Sequence, residues 1–183
     1  MSMLKKVTFT LLLLVVIAVV MLLIIIQYVK PTKLLDLQYK EISISSKIAE
    51  MILSRKLDVR LSEEEVNQLL KKQLASHSTL PHDFRMEGAE LNLQGSTVEA
   101  DVNVRWRDRV PIGAHATFTL AWDPPNLVIQ HENTQIRNWQ LPSAWLQLAP
   151  IEIPLQSYLP KLIGIKNVVF EDKTILIQLK PFQ

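Results

Sequence analysis

Residues 97–106 read TVEADVNVRW, and in this stretch Val98, Ala100, Val102, Val104 and Trp106 alternate without interruption with Glu99, Asp101, Asn103 and Arg105. A side-chain period of two puts one set on each face of extended chain, so the segment is a strand with one face buried. The preceding FRMEGAELNLQG (84–95) alternates at Ala89, Leu91 and Leu93, and Gly95-Ser96 between the two stretches supplies a tight turn. The two pair as a hairpin. Downstream, Ala114, Ala116, Phe118, Leu120 and Trp122 share one face of a third strand, and Asp123-Pro124-Pro125-Asn126 turns the chain into a fourth, NLVIQHENTQIR. KNVVFED and KTILIQLK form a last hairpin around Glu171-Asp172-Lys173. The fold class is therefore α+β: a curved antiparallel sheet of about six strands, covered on its apolar face by one or two helices.

The clearest helix start lies at 61–75, LSEEEVNQLLKKQLA. Ser62 and Glu65 make an S-x-x-E capping box, and Glu63, Glu64 and Glu65 occupy the positive end of the helix dipole. This acidic run reads as a solvated, capped first turn rather than a cation site. Val66, Leu69, Leu70 and Leu74 fall on one face. Asn67 sits beside that stripe, where its amide can satisfy a strand edge. Before it, residues 30–60 form a juxtamembrane segment in which Ile44, Ile48, Met51 and Ile52 recur at helical spacing, giving a short helix over about 45–55. Lys47, Glu50, Arg55 and Lys56 give that helix an ordinary polar face, which favours packing on the domain over contact with lipid. Between the fourth strand and the last hairpin, the apolar stretch containing Trp145, Leu146, Leu148, Ile151 and Ile153 is broken by Pro142, Pro150, Pro154 and Pro160. It holds no long regular element and either folds into the core, the favoured reading, or serves as a lid, groove wall or membrane-touching patch.

Residues 7–29 carry a second signal. Val7 to Ile26 has no charge, and sixteen of its twenty residues are Leu, Ile, Val or Phe. At 1.5 Å per residue about twenty residues cross the ~30 Å hydrocarbon core, so a transmembrane helix is expected, with Tyr28 and Lys30 at the interface. No small-residue cleavage site follows, which makes an uncleaved anchor the expectation. Residues 1–6 are then a short basic tail, and residues 61–183 a water-soluble domain. Lys5 and Lys6 on one side balance Lys30, Lys33 and Lys40 on the other, so Lys/Arg counting leaves orientation open.

Chemistry is harder to find. The net charge of +2 is mild and basic residues are mixed with acids, so nucleic acid is not an expected partner. There is no cysteine, which removes disulfides, thiolate metal sites and thiol nucleophiles. His77, His82, His115 and His131 show no metal-ligand spacing and read as solvent-exposed. Four glycines form no G-x-S-x-G, P-loop or dinucleotide motif. No catalytic residue, metal ligand or cofactor is assigned, and an enzyme is the least favoured class.

The order of parts, a short basic N-terminus, one apolar helix, LSEEEVNQLL, an alternating meander, LPSAWLQ with PIEIPLQSYLP and a final strand pair, resembles the YpmS-like single-pass membrane proteins of Gram-positive bacteria. That resemblance implies an extracytoplasmic domain at the cell envelope. It also implies a fold-level likeness to tubular lipid-binding domains, in which a helix packs inside a long curved sheet beside an apolar groove. The family supplies no catalytic residues to carry over. Two functions are expected from these observations: binding of a lipid or other hydrophobic ligand, or a non-catalytic scaffold for another envelope protein. The candidate groove is Val66, Leu70 and Leu74 on the helix, with Val102, Val104, Trp106, Ala116, Phe118 and Leu120 on the strands and Trp145 beyond them.

Overall fold

The structure is a computed structural model describing residues 3–42, 46–47, 57–76, 78–80, 83–142, 149–159 and 163–181. Within it the alternating stretches become long strands: β3 (Phe84–Gln94), β4 (Thr97–Trp106), β5 (Val110–Asp123) and β6 (Asn126–Ile136), followed at the end by β9 (Ile163–Glu171) and β10 (Thr174–Pro181). Four short strands join them: β1 (Asp58–Ser62), β2 (Thr79–Leu80), β7 (Trp139–Gln140) and β8 (Ile151–Pro154), the last leading into a single 3₁₀ turn at Leu155–Tyr158. The helices are α1 (Met3–Val29) and α2 (Glu63–Ser76). The short helix expected over 45–55 lies outside the described residues, except that Ser46 and Lys47 are helical.

The strands make two antiparallel sheets. One has seven strands in the order β2-β3-β4-β5-β6-β7, with β8 also pairing β6; the other has the order β1-β10-β9. Hairpin registers follow the expected turns, and Gly95 takes the left-handed backbone (φ 62°) that the tight β3–β4 turn requires. The small sheet packs on the apolar face of the large one at the end near this turn. Leu93, Val98, Leu120 and Leu127 meet Val168 and Ile175 there in one core, and Leu93 is 1% exposed. Burying such a leucine is worth about 1.5–3 kcal/mol. The main cover over this part of the face is thus a second sheet, and α2 takes a different place.

α2 follows β1 without a loop. Its capping box is formed as expected: the Ser62 amide donates to Glu65 Oε2 at 3.0 Å, and the Glu65 amide donates to Ser62 Oγ at 3.4 Å. Burial pushes the Glu65 carboxyl up, but bonds from Lys47 and Ser62 outweigh it and leave the group below its ordinary range. The helix seats on the outer edge of β3. Asn67 accepts the Leu91 amide at 2.6 Å and donates to the Leu91 carbonyl at 2.8 Å, while Glu63 Oε2 accepts the Leu93 amide at 2.8 Å. Two side chains therefore do for β3 what a neighbouring strand would do, as the position of Asn67 had suggested. Glu63 is half-buried in this work, so the first acidic turn is not wholly solvated.

The opposite, polar face of the large sheet carries the chain that leaves α1. Gly88, Asn103 and Gly113 are cross-strand partners on β3, β4 and β5, which leaves one row nearly free of side-chain bulk. The linker crosses the strands along this row. A methyl group at Gly113 would come within 2.7 Å of Pro31 Cα, one at Gly88 would overlap the Leu35 backbone, and Asn103 donates to the Lys33 carbonyl at 2.8 Å between them. Lys33 pairs with Glu90, Lys71 with Asp36 at 3.2 Å and Lys72 with Glu41 at 2.9 Å, while the Lys40 amide donates to Gln68 Oε1 at 2.6 Å. The Lys71 bond holds the Asp36 carboxyl below its ordinary range, and the Lys72 bond does the same for Glu41. These exposed ion pairs add little individually; the seat is set by the missing side chains.

Two outcomes test this picture. Asn67→Leu improves intrinsic helix propensity yet strands the Leu91 amide and carbonyl, so it should lower unfolding stability in urea by about 1–3 kcal/mol; an unchanged midpoint would mean the edge is satisfied by other means. Gly113→Val would strengthen a bare strand by up to about 1 kcal/mol, but under the linker it should speed amide hydrogen exchange over residues 32–36 while β4 and β5 keep their protection. Unchanged linker exchange would show that Pro31 does not rest on this row.

Candidate functional site

Strand register lays out the apolar face of the large sheet as rows running across it. Beginning at the end that carries the β4–β5 turn, these are Phe84–Trp106–Val110, Met86–Val104–Ile112, Ala89–Val102–Ala114, Leu91–Ala100–Ala116–Thr134 and Leu93–Val98–Phe118–His131. The last row and those beyond it, with Leu120 and Leu127, belong to the core closed by the small sheet. The middle rows differ in kind. Ala89, Ala100, Ala114 and Ala116 stand on three adjacent strands around Val102, which sits between Ala89 and Ala114, and Val104 and Ile112 form the next row; Ala89, Ala100 and Ala116 are buried, and Ala114, Val102, Val104 and Ile112 are half-buried.

Six of the ten candidate groove residues therefore share this face: Val102, Val104, Trp106, Ala116, Phe118 and Leu120. Ala116 and Leu120 are buried, whereas Trp106 at the end of β4 is 37% exposed. Val66 packs against the core cluster. Leu70 and Leu74 are half-buried on α2, which seats on β3 and touches β1, so the helix lines the edge of the face rather than its middle. The hydrogen-bonding demand of the β3 edge put it there. Trp145 lies outside the described residues.

Two histidines depart from their expected exposure. His131 is half-buried on the apolar face, edge-on to Phe118 with ring centroids 5.5 Å apart, and its Nε2 lies 2.8 Å from Oγ1 of buried Thr134. A bulge in β6 opposite Thr117 and Phe118 accommodates the extra residue Glu132, which lets both His131 and Thr134 face the same way. The signal was present in sequence, since His131 falls in phase with Leu127 and Ile129. His115, on the polar face, is also half-buried, with Nδ1 2.7 Å from Asp101 Oδ1. His77 and His82 lie outside the described residues. Elsewhere on the polar face Arg105 bonds Glu87 at 2.5 Å, which raises the guanidinium further above its ordinary value.

Among the described residues, two shallow cavities open on the surface. One of about 140 Å³ lies where the linker meets the polar face and the β6–β7 turn; the other, about 280 Å³, is lined by His131, Thr134, Gln140, Leu141 and neighbours. Both fall below the ~300–1,000 Å³ of a typical small-molecule pocket. Of the ten candidate residues, Val102 alone lines either of them. Among the described residues no group of three His, Asp or Glu side chains is placed to hold a metal ion. α1 is long and apolar enough to cross a membrane, and its end reaches the sheet: it packs on β5, and the Arg137 guanidinium lies 5.6 Å from the Tyr28 ring centre. No protein-family model, curated protein or solved structure matches the chain.

Proposed function

We propose that this chain is a membrane-anchored domain, standing outside the cytoplasm, that holds an acyl chain or similar apolar ligand against the alanine-floored rows of its large sheet. The observation that carries this reading is the set of Ala89, Ala100, Ala114 and Ala116 around half-buried Val102, with half-buried Val104 and Ile112 in the next row. Small side chains keep the middle of an otherwise bulky apolar face low; Ala89, Ala100 and Ala116 are already covered, so a slender apolar guest would rest on half-buried Ala114, Val102, Val104 and Ile112. His131 and Thr134 add a polar pair at one border, in keeping with pockets that are mostly apolar with a few fixed polar groups. Each methylene removed from water contributes about 0.8 kcal/mol, so part of an acyl chain suffices for useful affinity. α1 supports the anchor, and the resemblance to YpmS-like envelope proteins supports the outward placement.

The second reading, a scaffold for another envelope protein, draws on the short outer strands β7 and β8. Trp139 is 47% exposed there and Ile151 54% exposed. A partner strand could extend the sheet at such an edge.

Full-length protein stripped of lipid should bind a fluorescent fatty acid at micromolar concentration. Ala116→Trp, and the half-buried Ala114→Trp as a gentler variant, should weaken that binding by about tenfold or more while unfolding stays cooperative. Wild-type protein that captures no fatty acid and carries no lipid in native mass spectrometry would leave the scaffold reading in its place. For orientation, a maleimide that cannot cross membranes should label Ser78→Cys in intact cells and spare Ser2→Cys. Labelling at Ser2→Cys alone would place the domain inside.

A further inference from the structure

The cavity at the junction of the linker and the sheet gathers charged groups from several elements. Lys30, Thr32 and Lys33 come from the linker, Asp101 and His115 from β4 and β5, and Arg137 from the β6–β7 turn. Three cations, an imidazole and a hydroxyl thus converge on one small space with a single carboxylate. That carboxylate is engaged by His115 at 2.7 Å, and Lys33 is held by Glu90. Lys30 and Arg137 have no ion-pair partner among the described residues, and both are exposed. Arg137 also keeps a left-handed backbone (φ 51°) that glycine or asparagine adopts more easily. The net charge of the lining is left positive, and Lys30 and Arg137, the two cations with no ion-pair partner among the described residues, come from separate elements brought together by the linker crossing.

We propose that this cavity binds the phosphate of an anionic phospholipid headgroup, which rests on the reading of α1 as a membrane anchor. Three observations converge on that ligand. The first is depth: the linker begins where α1 ends, and Arg137 lies against Tyr28 in the last turn of the helix, so the cavity sits where a spanning helix meets the headgroup layer. Size is the second, because a cavity of about 140 Å³ is small beside the ~300–1,000 Å³ of a typical ligand pocket, which suits a phosphate better than a whole acyl chain. The third is chemistry. A guanidinium offers a planar fork of donors that matches two phosphate oxygens, an ammonium adds a mobile point charge, and the Thr32 hydroxyl can donate a further bond. Basic pockets beside transmembrane helices are known to bind anionic headgroups. The lipid so held is distinct from a guest on the apolar face, which lies on the other side of the sheet.

The test uses the full chain in detergent micelles, supplied with phosphatidylglycerol or phosphatidylcholine and read by native mass spectrometry. One phosphatidylglycerol should be retained per chain, with phosphatidylcholine at least about tenfold less. The double variant Lys30→Gln/Arg137→Gln should lose that selectivity, whereas Lys5→Gln/Lys6→Gln, the same change of charge at the far end of α1, should keep it. Arg137→Lys, which retains the charge and loses the fork, should fall between. Equal retention of the two lipids, or undiminished selectivity in the Lys30/Arg137 variant, overturns the inference. So does protection of Thr32 from hydrogen exchange by inorganic phosphate without retention of phosphatidylglycerol, since the site would then serve a soluble anion. A carbonate wash of vesicles separates the two levels: a chain stripped from the bilayer defeats the anchor reading itself, while a chain that stays and shows no lipid selection defeats this inference alone.

Discussion

The main chain leaving α1 crosses three strands along the one row where side chains are absent or make room. Gly88 and Gly113 let the backbone of Leu35 and Pro31 lie directly on the sheet, and Asn103 between them supplies the hydrogen bond that fixes the Lys33 carbonyl. Much of the architecture follows from this crossing. It brings the end of α1 against β5 and under Arg137, it gathers the basic residues of the junction, and it carries Asp36, Lys40 and Glu41 within reach of Lys71, Gln68 and Lys72 on α2. A Gly/Ser-rich tether would let a domain wander over a wide volume above the membrane. A linker bedded on a sheet instead gives the domain one attitude relative to the helix.

The same exchange of side chain for backbone recurs at β3. An exposed strand edge presents unpaired amides and carbonyls and invites pairing with another chain. Here Asn67 and Glu63 answer the edge from the first turns of α2, and β2 covers it at Phe84 and Arg85. The helix is committed to the edge by these bonds, so it is not free to lie over β4 and β5. Closure of the apolar face falls to the β1-β10-β9 sheet, which meets it through Val168 and Ile175 around Leu93, Val98 and Leu120. The alanine rows lie toward the other end of the same face, nearer to α1. Their shallowness and their position are separate properties, the first set by side-chain size and the second by register.

The long strands were legible because period-two alternation and turn residues agree at every level: TVEADVNVRW, its partner and Gly95-Ser96 leave little choice. The capping box was equally clear, and Asn67 was placed at a strand edge from its position alone. β1 was not legible, since DVRLS is five residues long, ends in the cap of α2 and finds its partner in β10, far along the chain. Gly88 and Gly113 read locally as weak points in strands. Nothing in their neighbours announces that Leu35 and Pro31 will lie above them, because the signal is an absence of volume that only tertiary structure explains. The candidate groove was half legible for the same reason. Alternation put six residues on one face, but whether the helix docks on the face or on the edge depends on unmet hydrogen bonds of β3 rather than on its own apolar stripe.

The pairing of β1 with β10 ties the start of the domain to its last strand, with Val59 opposite Ile177 and Leu61 opposite Ile175. Contacts so distant in the chain form late and slowly, because a long loop must close before they are rewarded. During synthesis β3 to β6 can pair in sequence as each hairpin emerges, while the strand that completes the small sheet is still to come. Leu93, Val98 and Leu120 therefore pass through a nascent stage with their cover not yet made. β10 is thus the latch of the small sheet, and the interval before it pairs is when the apolar face is most open to a chaperone or to the lipid beside it.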